Sequence, residues 1–322
     1  MASRTKSYVT PKHKTKFRVN NWPAYEAGLG KRGDMTVWFD EACADSWNAP
    51  SSGTPGGQRR YSDLAIVTTL TLRTVFHLAL RQAEGFVGSL IGLMGLDLDT
   101  PDHTTLSRRS GAAEVPKIVS SHQGPIHLVI DRGLKILGDG EWHSHKHKTA
   151  DRRRRWRKLH LGVDAQGFVV ASALTDSGQD DATEGVRMIG GLDRAIMRFT
   201  ADGAYDTRAV YEALAPAGGE PCAIVIPPRK TASPSQPAEE LLEQRDAAIA
   251  RIAEVGRRRW RKESGAHRQA RAENAMFRYK RLVGDRLRAK SPESQATEAR
   301  IAVNVLNRMH GLGTPDSEAV VA

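Results

Sequence analysis

The chain has 322 residues, 39% hydrophobic and 26% charged, and its 48 Lys and Arg against 37 Asp and Glu leave a formal charge of +11. No apolar run approaches the roughly 20 residues that cross a bilayer, and the polar, basic start Met1-Ala2-Ser3-Arg4 lacks the apolar core of a signal peptide. Two distant cysteines, Cys43 and Cys222, argue against a disulfide framework, and the positive excess favours a polyanionic partner over a membrane.

Residues 1–20 carry Arg4, Lys6, Lys12, Lys14, Lys16 and Arg18 without apolar periodicity, the composition of a basic arm, either solvated or DNA-contacting. Residues 21–49 mix Trp22, Tyr25, Trp38, Phe39 and Trp47 with acids and read as a packed entry segment, followed by a Gly/Ser/Pro loop over 51–57. From Tyr61 the pattern turns helical. Ser62 is placed to cap a helix with Leu64, Ile66, Val67, Leu70, Leu72, Val75 and Phe76 as its apolar positions, and a second helix is expected over Leu80–Leu93. After Pro101, residues 102–109 form a short capped helix ending on Arg108 and Arg109. That layout is either a helix-turn-helix DNA reader or an ordinary three-helix bundle. The helical region is set at 21–111, and 112–124 reads as a linker.

The period then changes to two. Strands are expected at 126–131, 157–164 and 168–175, the last two joined by Asp164-Ala165-Gln166-Gly167, a hairpin signal. Helices at 181–192, 206–215, 239–255, 270–288 and 292–309 alternate with strands at 197–201 and 223–226, giving a mixed α/β sheet over 125–311 and a tail over 312–322.

Three acids stand out. Asp131 ends the apolar run His127-Leu128-Val129-Ile130, and Asp202 ends another strand, with Gly203 allowing a sharp exit. Glu273 shares a helical face with Phe277 and Lys280, flanked by Arg268, Arg271, Arg278 and Arg281. Neighbouring strands would bring both aspartates to one sheet edge, and a helix could add the glutamate. Such an oxygen-ligand set suits Mg²⁺ or Mn²⁺ and phosphoryl transfer. The bland alternatives are a strand-end cap, a turn residue and one more exposed helix charge; Asp164 is read as a turn residue. In 143–158, Arg153, Arg154, Arg155, Arg157 and Lys158 surround Trp156, a pattern that suits nucleic-acid phosphates. His143, His145 and His147 alternate there, without the further ligands of a zinc site.

Several stretches together resemble the bacterial insertion-sequence DDE transposases of the insertion-sequence-five type: 61–66 (YSDLAI), 80–86 (LRQAEGF), 101–109 (PDHTTLSRR), 138–142 (GDGEW), 156–161 (WRKLHL), 202–206 (DGAYD) and 273–280 (ENAMFRYK). The resemblance spans nearly the whole chain. It implies an RNase H-like catalytic fold behind an N-terminal helical region, with an Asp131–Asp202–Glu273 triad holding two divalent ions. The implied reaction is hydrolysis at terminal inverted repeats, then transfer of the freed 3′-OH strand into target DNA. It further implies Lys280 at a DNA phosphate, a homodimer on DNA, and a cytoplasmic, nucleoid-associated protein. Two departures stand against the pattern. The family's Tyr and Arg ahead of the glutamate are Ala266 and Gln269 here, and the family's Asp-Ser-Thr-Gly-Leu-Lys is Asp131-Arg132-Gly133-Leu134-Lys135, one residue shorter. A catalytically inactive DNA-binding relative and a stand-alone metal-dependent nuclease are the alternative readings.

Overall fold

Caps set the helices of the first third. In this computed structural model, which describes residues 16–51, 53, 56–116, 124, 126–130, 134–137, 156–215 and 221–320, α1 (Trp22–Lys31), α2 (Met35–Trp38) and α3 (Glu41–Asp45) precede α4 (Asp63–Val75). Ser62 Oγ accepts the Ala65 N–H at 3.1 Å and starts α4 as expected. Four residues, 76–79, then turn the chain by 109° into α5 (Leu80–Leu93). Asp102 caps α6 (His103–Arg109) by accepting the Thr104 and Thr105 N–H groups. Trp38, Phe39, Trp47, Ile66, Leu72, Val87 and Leu106 form the core among these helices.

The sheet comprises β2 (Ile126–Ile130), β3 (Leu134–Leu137), β4 (Trp156–Val163), β5 (Val169–Asp176), β6 (Ile196–Thr200) and β7 (Ala223–Val225). Strand β5 pairs with β4 along nearly its whole length, so β2 and β3, which pair with opposite ends of β4, share its other edge. Ile130 faces Gly162 and Leu134 faces Leu159 on that shared edge. On the far side β2 pairs parallel with β6, and β6 parallel with β7. The order is therefore β5, β4, β2/β3, β6, β7, with α7 (Asp181–Gly190) and α8 (Arg208–Leu214) packed on one face and α11 (Ala270–Leu282) and α12 (Pro292–Gly311) on the other. This helix-flanked mixed sheet is the RNase H-like arrangement expected. Between β7 and α11 stand α9 (Glu243–Val255) and α10 (Arg257–Glu263).

Helix α12 serves two cores. Ile301, Val305 and Met309 join the N-terminal helices, whereas Ala299, Ala302, Val303 and Leu306 pack on the sheet. Its Asn307 exchanges two hydrogen bonds with the Val169 backbone at 2.8 and 2.7 Å, satisfying the start of the edge strand β5. The described part of the expected linker also packs, with Ala113 buried in the helical core and Asn304 Nδ2 donating to the Pro116 carbonyl.

Helix α10 and three strands were not expected. Strand β1 (Lys16–Val19), from the expected basic arm, pairs antiparallel with β8 (Ser317–Val320), from the expected tail, and β3 follows β2 along β4. The helix expected over 270–288 stops at Leu282, because Gly284 at φ 103° carries the chain into a conformation the helix cannot continue.

Candidate active site

Strands β2 and β6 run parallel with Val129 opposite Thr200, so both end at the same sheet edge. Along β2, Leu128 and Ile130 enter the core under α7 and α8, while Val129 enters the core under α11 and α12. Strand β6 alternates likewise. Phe199 and Ala201 go to the α7/α8 side, and Thr200 turns the other way, its Oγ1 2.9 Å from His127 Nε2. Asp202 keeps an extended backbone (φ −81°, ψ 174°), so alternation carries it to the α11 side of the edge. Its Oδ1 accepts the Ala204 N–H at 2.9 Å, opening the short turn Gly203–Tyr205. Gly203 is needed for room rather than for a left-handed backbone: a Cβ there would lie 3.0 Å from the Pro227 carbonyl oxygen. Asp131 itself lies outside the described residues, one position beyond Ile130.

Helix α11 buries Ala272, Ala275, Met276 and Tyr279 against the sheet and leaves Glu273, Phe277 and Lys280 exposed. At about 100° per residue, Arg271 and Arg278 sit on the flank opposite Glu273. That opposite flank faces the β4–β5 turn, where Arg278 Nη2 donates to the Gly167 carbonyl at 2.7 Å and Arg271 feels the Asp164 carboxylate. The β4–β5 turn adjoins the N-terminal end of β2, because β4 runs antiparallel to it. Glu273 and Lys280 lie on the opposite flank of the helix, away from the β4–β5 turn.

The basic residues divide. Arg109 bonds the Tyr61 carbonyl and pairs with Asp63 at 2.5 Å. Arg157 reaches Asp176 and Gln295, Lys158 donates to the Gln179 carbonyl and Asp181, and Arg278 also contacts His310. These four are taken up in packing. Lys280 and Arg108 are exposed and Arg271 is half-buried, while Arg153, Arg154, Arg155 and the three histidines at 143, 145 and 147 lie outside the described residues. Asp164 accepts the Gln166 and Phe168 N–H groups, which makes it the turn residue it was read as. Ala266 packs with Val225 and Trp260 beneath the start of α11, and Gln269 is also buried.

Two features carried weaker sequence signals. The 109° bend across the four-residue turn 76–79 gives α4 and α5 helix-turn-helix geometry. Arg81 and Gln82 are exposed at the start of α5, and Arg108 is exposed on α6. Burial, then the charges of Arg198, Arg271 and Arg268, depress the His127 pKa to about 4. That histidine is consequently neutral and works as a hydrogen-bond partner of Thr200. Its place inside an apolar run was the available hint.

Asp202 and Glu273 offer oxygen ligands only, the donor chemistry that suits Mg²⁺ or Mn²⁺ and not zinc. Among the described residues no three of His, Cys, Asp and Glu gather closely enough to hold a metal, and Asp131 lies outside those residues. A family model described as a transposase DDE domain matches residues 120–308, and a second of the same description matches 30–139. The first covers more than half of the chain and spans both described acids and the sheet that carries them. The chain belongs to the DDE transposase family.

Proposed function

We propose that the protein is a transposase of the insertion-sequence-five type that binds terminal inverted repeats, hydrolyses the phosphodiester at the element end and joins the freed 3′-OH strand to target DNA. The observation that supports this reading is that β2 and β6 run parallel and end at one sheet edge, with Asp202 just after β6, Asp131 next after β2 in the sequence, and Glu273 on the flank of α11 opposite Arg271 and Arg278. The three carboxylates would hold two Mg²⁺ or Mn²⁺ ions, which when bound activate the attacking oxygen and stabilise the leaving one. Asp202, fixed by the Ala204 N–H, presents a pre-oriented ligand, and Glu273 on a packed helix presents a second from across the edge. Lys280, two helical turns from Glu273 on the same stripe, is placed to hold a phosphate beside the scissile bond. Two ends must be joined together, so the active form is a homodimer on DNA.

Labelled inverted-repeat ends incubated with the protein and Mg²⁺ test this. Nicking at the element boundary that Asp202→Asn abolishes is the expected result. DNA binding without nicking in Mg²⁺ or Mn²⁺ supports the inactive relative, for which the burial of Ala266 and Gln269 in place of the family's Tyr and Arg is the motivating observation. Cutting without preference for ends or strand joining supports the nuclease.

A further inference from the structure

A cavity of about 370 Å³ lies where the N-terminal helices meet the segment joining α11 to α12. Arg73 from α4, Arg288 and Lys290 from the joining segment, and the hydroxyls of Ser110, Ser291 and Ser294 supply its polar lining. Three cations share the space with one carboxylate, Glu298, and that carboxylate is already engaged: its oxygens accept the Arg288 and Ala289 backbone N–H groups at 2.7–3.0 Å. Among the described residues none of the three cations forms an ion pair. Arg73 Nε is buried with no hydrogen-bond partner; burial, offset in part by the nearby Glu298 carboxylate and reinforced by the Arg288 charge, lowers the Arg73 pKa.

The hydroxyls form a chain, Ser291 to Ser294 at 3.0 Å and Ser294 to Ser110 at 2.8 Å, that ties the start of α12 to the end of α6. Helix α12 is 20 residues long, and the positive end of its dipole adds to the cations. Cations, hydroxyls and a helix start around a small open cavity are the donors a phosphate group needs. No aromatic side chain lines the cavity, so nothing there would hold a nucleotide base.

The cavity also connects to the start of α5. It shares Leu80 and Ser107 with a second cleft of about 540 Å³, which adds Arg81, His103 and Arg108 beside the first turn of α5. Arg288 Nη1 donates to the Leu78 carbonyl at 2.8 Å, inside the turn between α4 and α5. A DNA backbone passing the start of α5 would thus run along the second cleft and into the first.

We infer that the Arg73–Arg288–Lys290 cavity binds a backbone phosphate of DNA held by the α4–α5 pair, so that the bound DNA is fixed to the α11–α12 segment that follows Glu273. This rests on the DNA-binding reading above and adds a site to it. None of these residues belongs to the proposed triad, and the contact is electrostatic, so its signature is the salt dependence of binding rather than turnover.

The test uses the full-length protein and a labelled duplex of about 30 base pairs, with affinity followed by fluorescence anisotropy as salt is raised. Lys290→Gln, at an exposed position, is expected to reduce the slope of log K against log salt by about 0.9, the value for one phosphate contact. Arg73→Gln is expected to do the same, with unchanged circular dichroism for both. Arg187→Gln, on the opposite face of the sheet, should leave the slope at the wild-type value. A wild-type slope in folded Lys290→Gln overturns the inference while leaving the proposed function standing. A wild-type protein that binds no DNA overturns both. Thermal unfolding in inorganic phosphate against chloride at equal ionic strength separates the sources of the phosphate. A Lys290-dependent rise in Tm accompanied by an unchanged DNA slope means that the cavity takes free phosphate, and it too overturns the assignment.

Discussion

Asp202 has a structural role that leaves room for the chemical one proposed for it. One oxygen caps the Gly203–Tyr205 turn, and the backbone that holds it there continues the alternation of β6 toward α11. Removing the carboxylate should therefore cost little stability, about 1 kcal/mol for a lost cap. It should lower nicking by more than about 100-fold, since even residues that only support a metal ligand cost up to that factor. Glu273→Gln, exposed and uncapped, should give the same loss of nicking with no change in unfolding; unfolding curves and nicking rates on the same samples check both. His127 supplies a pH prediction. Its folded pKa, about 4, lies below its unfolded value, so the unfolded chain binds more protons between about pH 6.5 and 4 and stability falls as pH drops through that window. Chemical denaturation at pH 7 and pH 5 should show the fall, and His127→Gln should make it shallower. Asp131, Asp202 and Glu273 were all legible as candidates because strand ends and helical stripes are local patterns. The internal commitments of Arg109, Arg157, Lys158 and Arg278 were not, since their partners lie 19 to 138 residues away in sequence.

At the scale of elements, α12 matters most for how the molecule holds together. Its two faces enter different cores, so the helical region and the sheet share one helix. Leu306→Ala on the sheet side and Val305→Ala on the N-terminal side should each destabilise, the former by about 2–5 kcal/mol. Both should retain one cooperative transition by circular dichroism and tryptophan fluorescence; a separate early loss of the fluorescence of buried Trp38 and Trp47 would show that the two cores unfold independently. The starts of α4, α6 and α12 could be read in advance because Ser62, Asp102 and Ser291 cap within three residues of themselves. The β1–β8 ribbon could not. It joins residues 16–19 to 317–320, and each four-residue strand carries no signal of its partner. Strand β3 was hidden for another reason: Leu134–Leu137 is short and shares the β4 edge that β2 already occupies.

For the whole molecule, the +11 charge favours a polyanionic partner, which under the proposed function is DNA. Binding should weaken steeply with salt, with a slope of about −5 or steeper if six or more phosphates are neutralised. The central claim is narrower, that three acids spread over more than 140 residues of sequence meet at one divalent-ion site. Iron-mediated cleavage measures that convergence without requiring turnover: Fe²⁺ replaces Mg²⁺, ascorbate and peroxide generate radicals at the bound ion, and mass spectrometry locates the breaks in the polypeptide. The account predicts breaks near Asp131, Asp202 and Glu273 together, suppressed by excess Mg²⁺ and reduced at all three places by Asp202→Asn. Breaks confined to one of the three, or unaffected by Mg²⁺ and by Asp202→Asn, would contradict it.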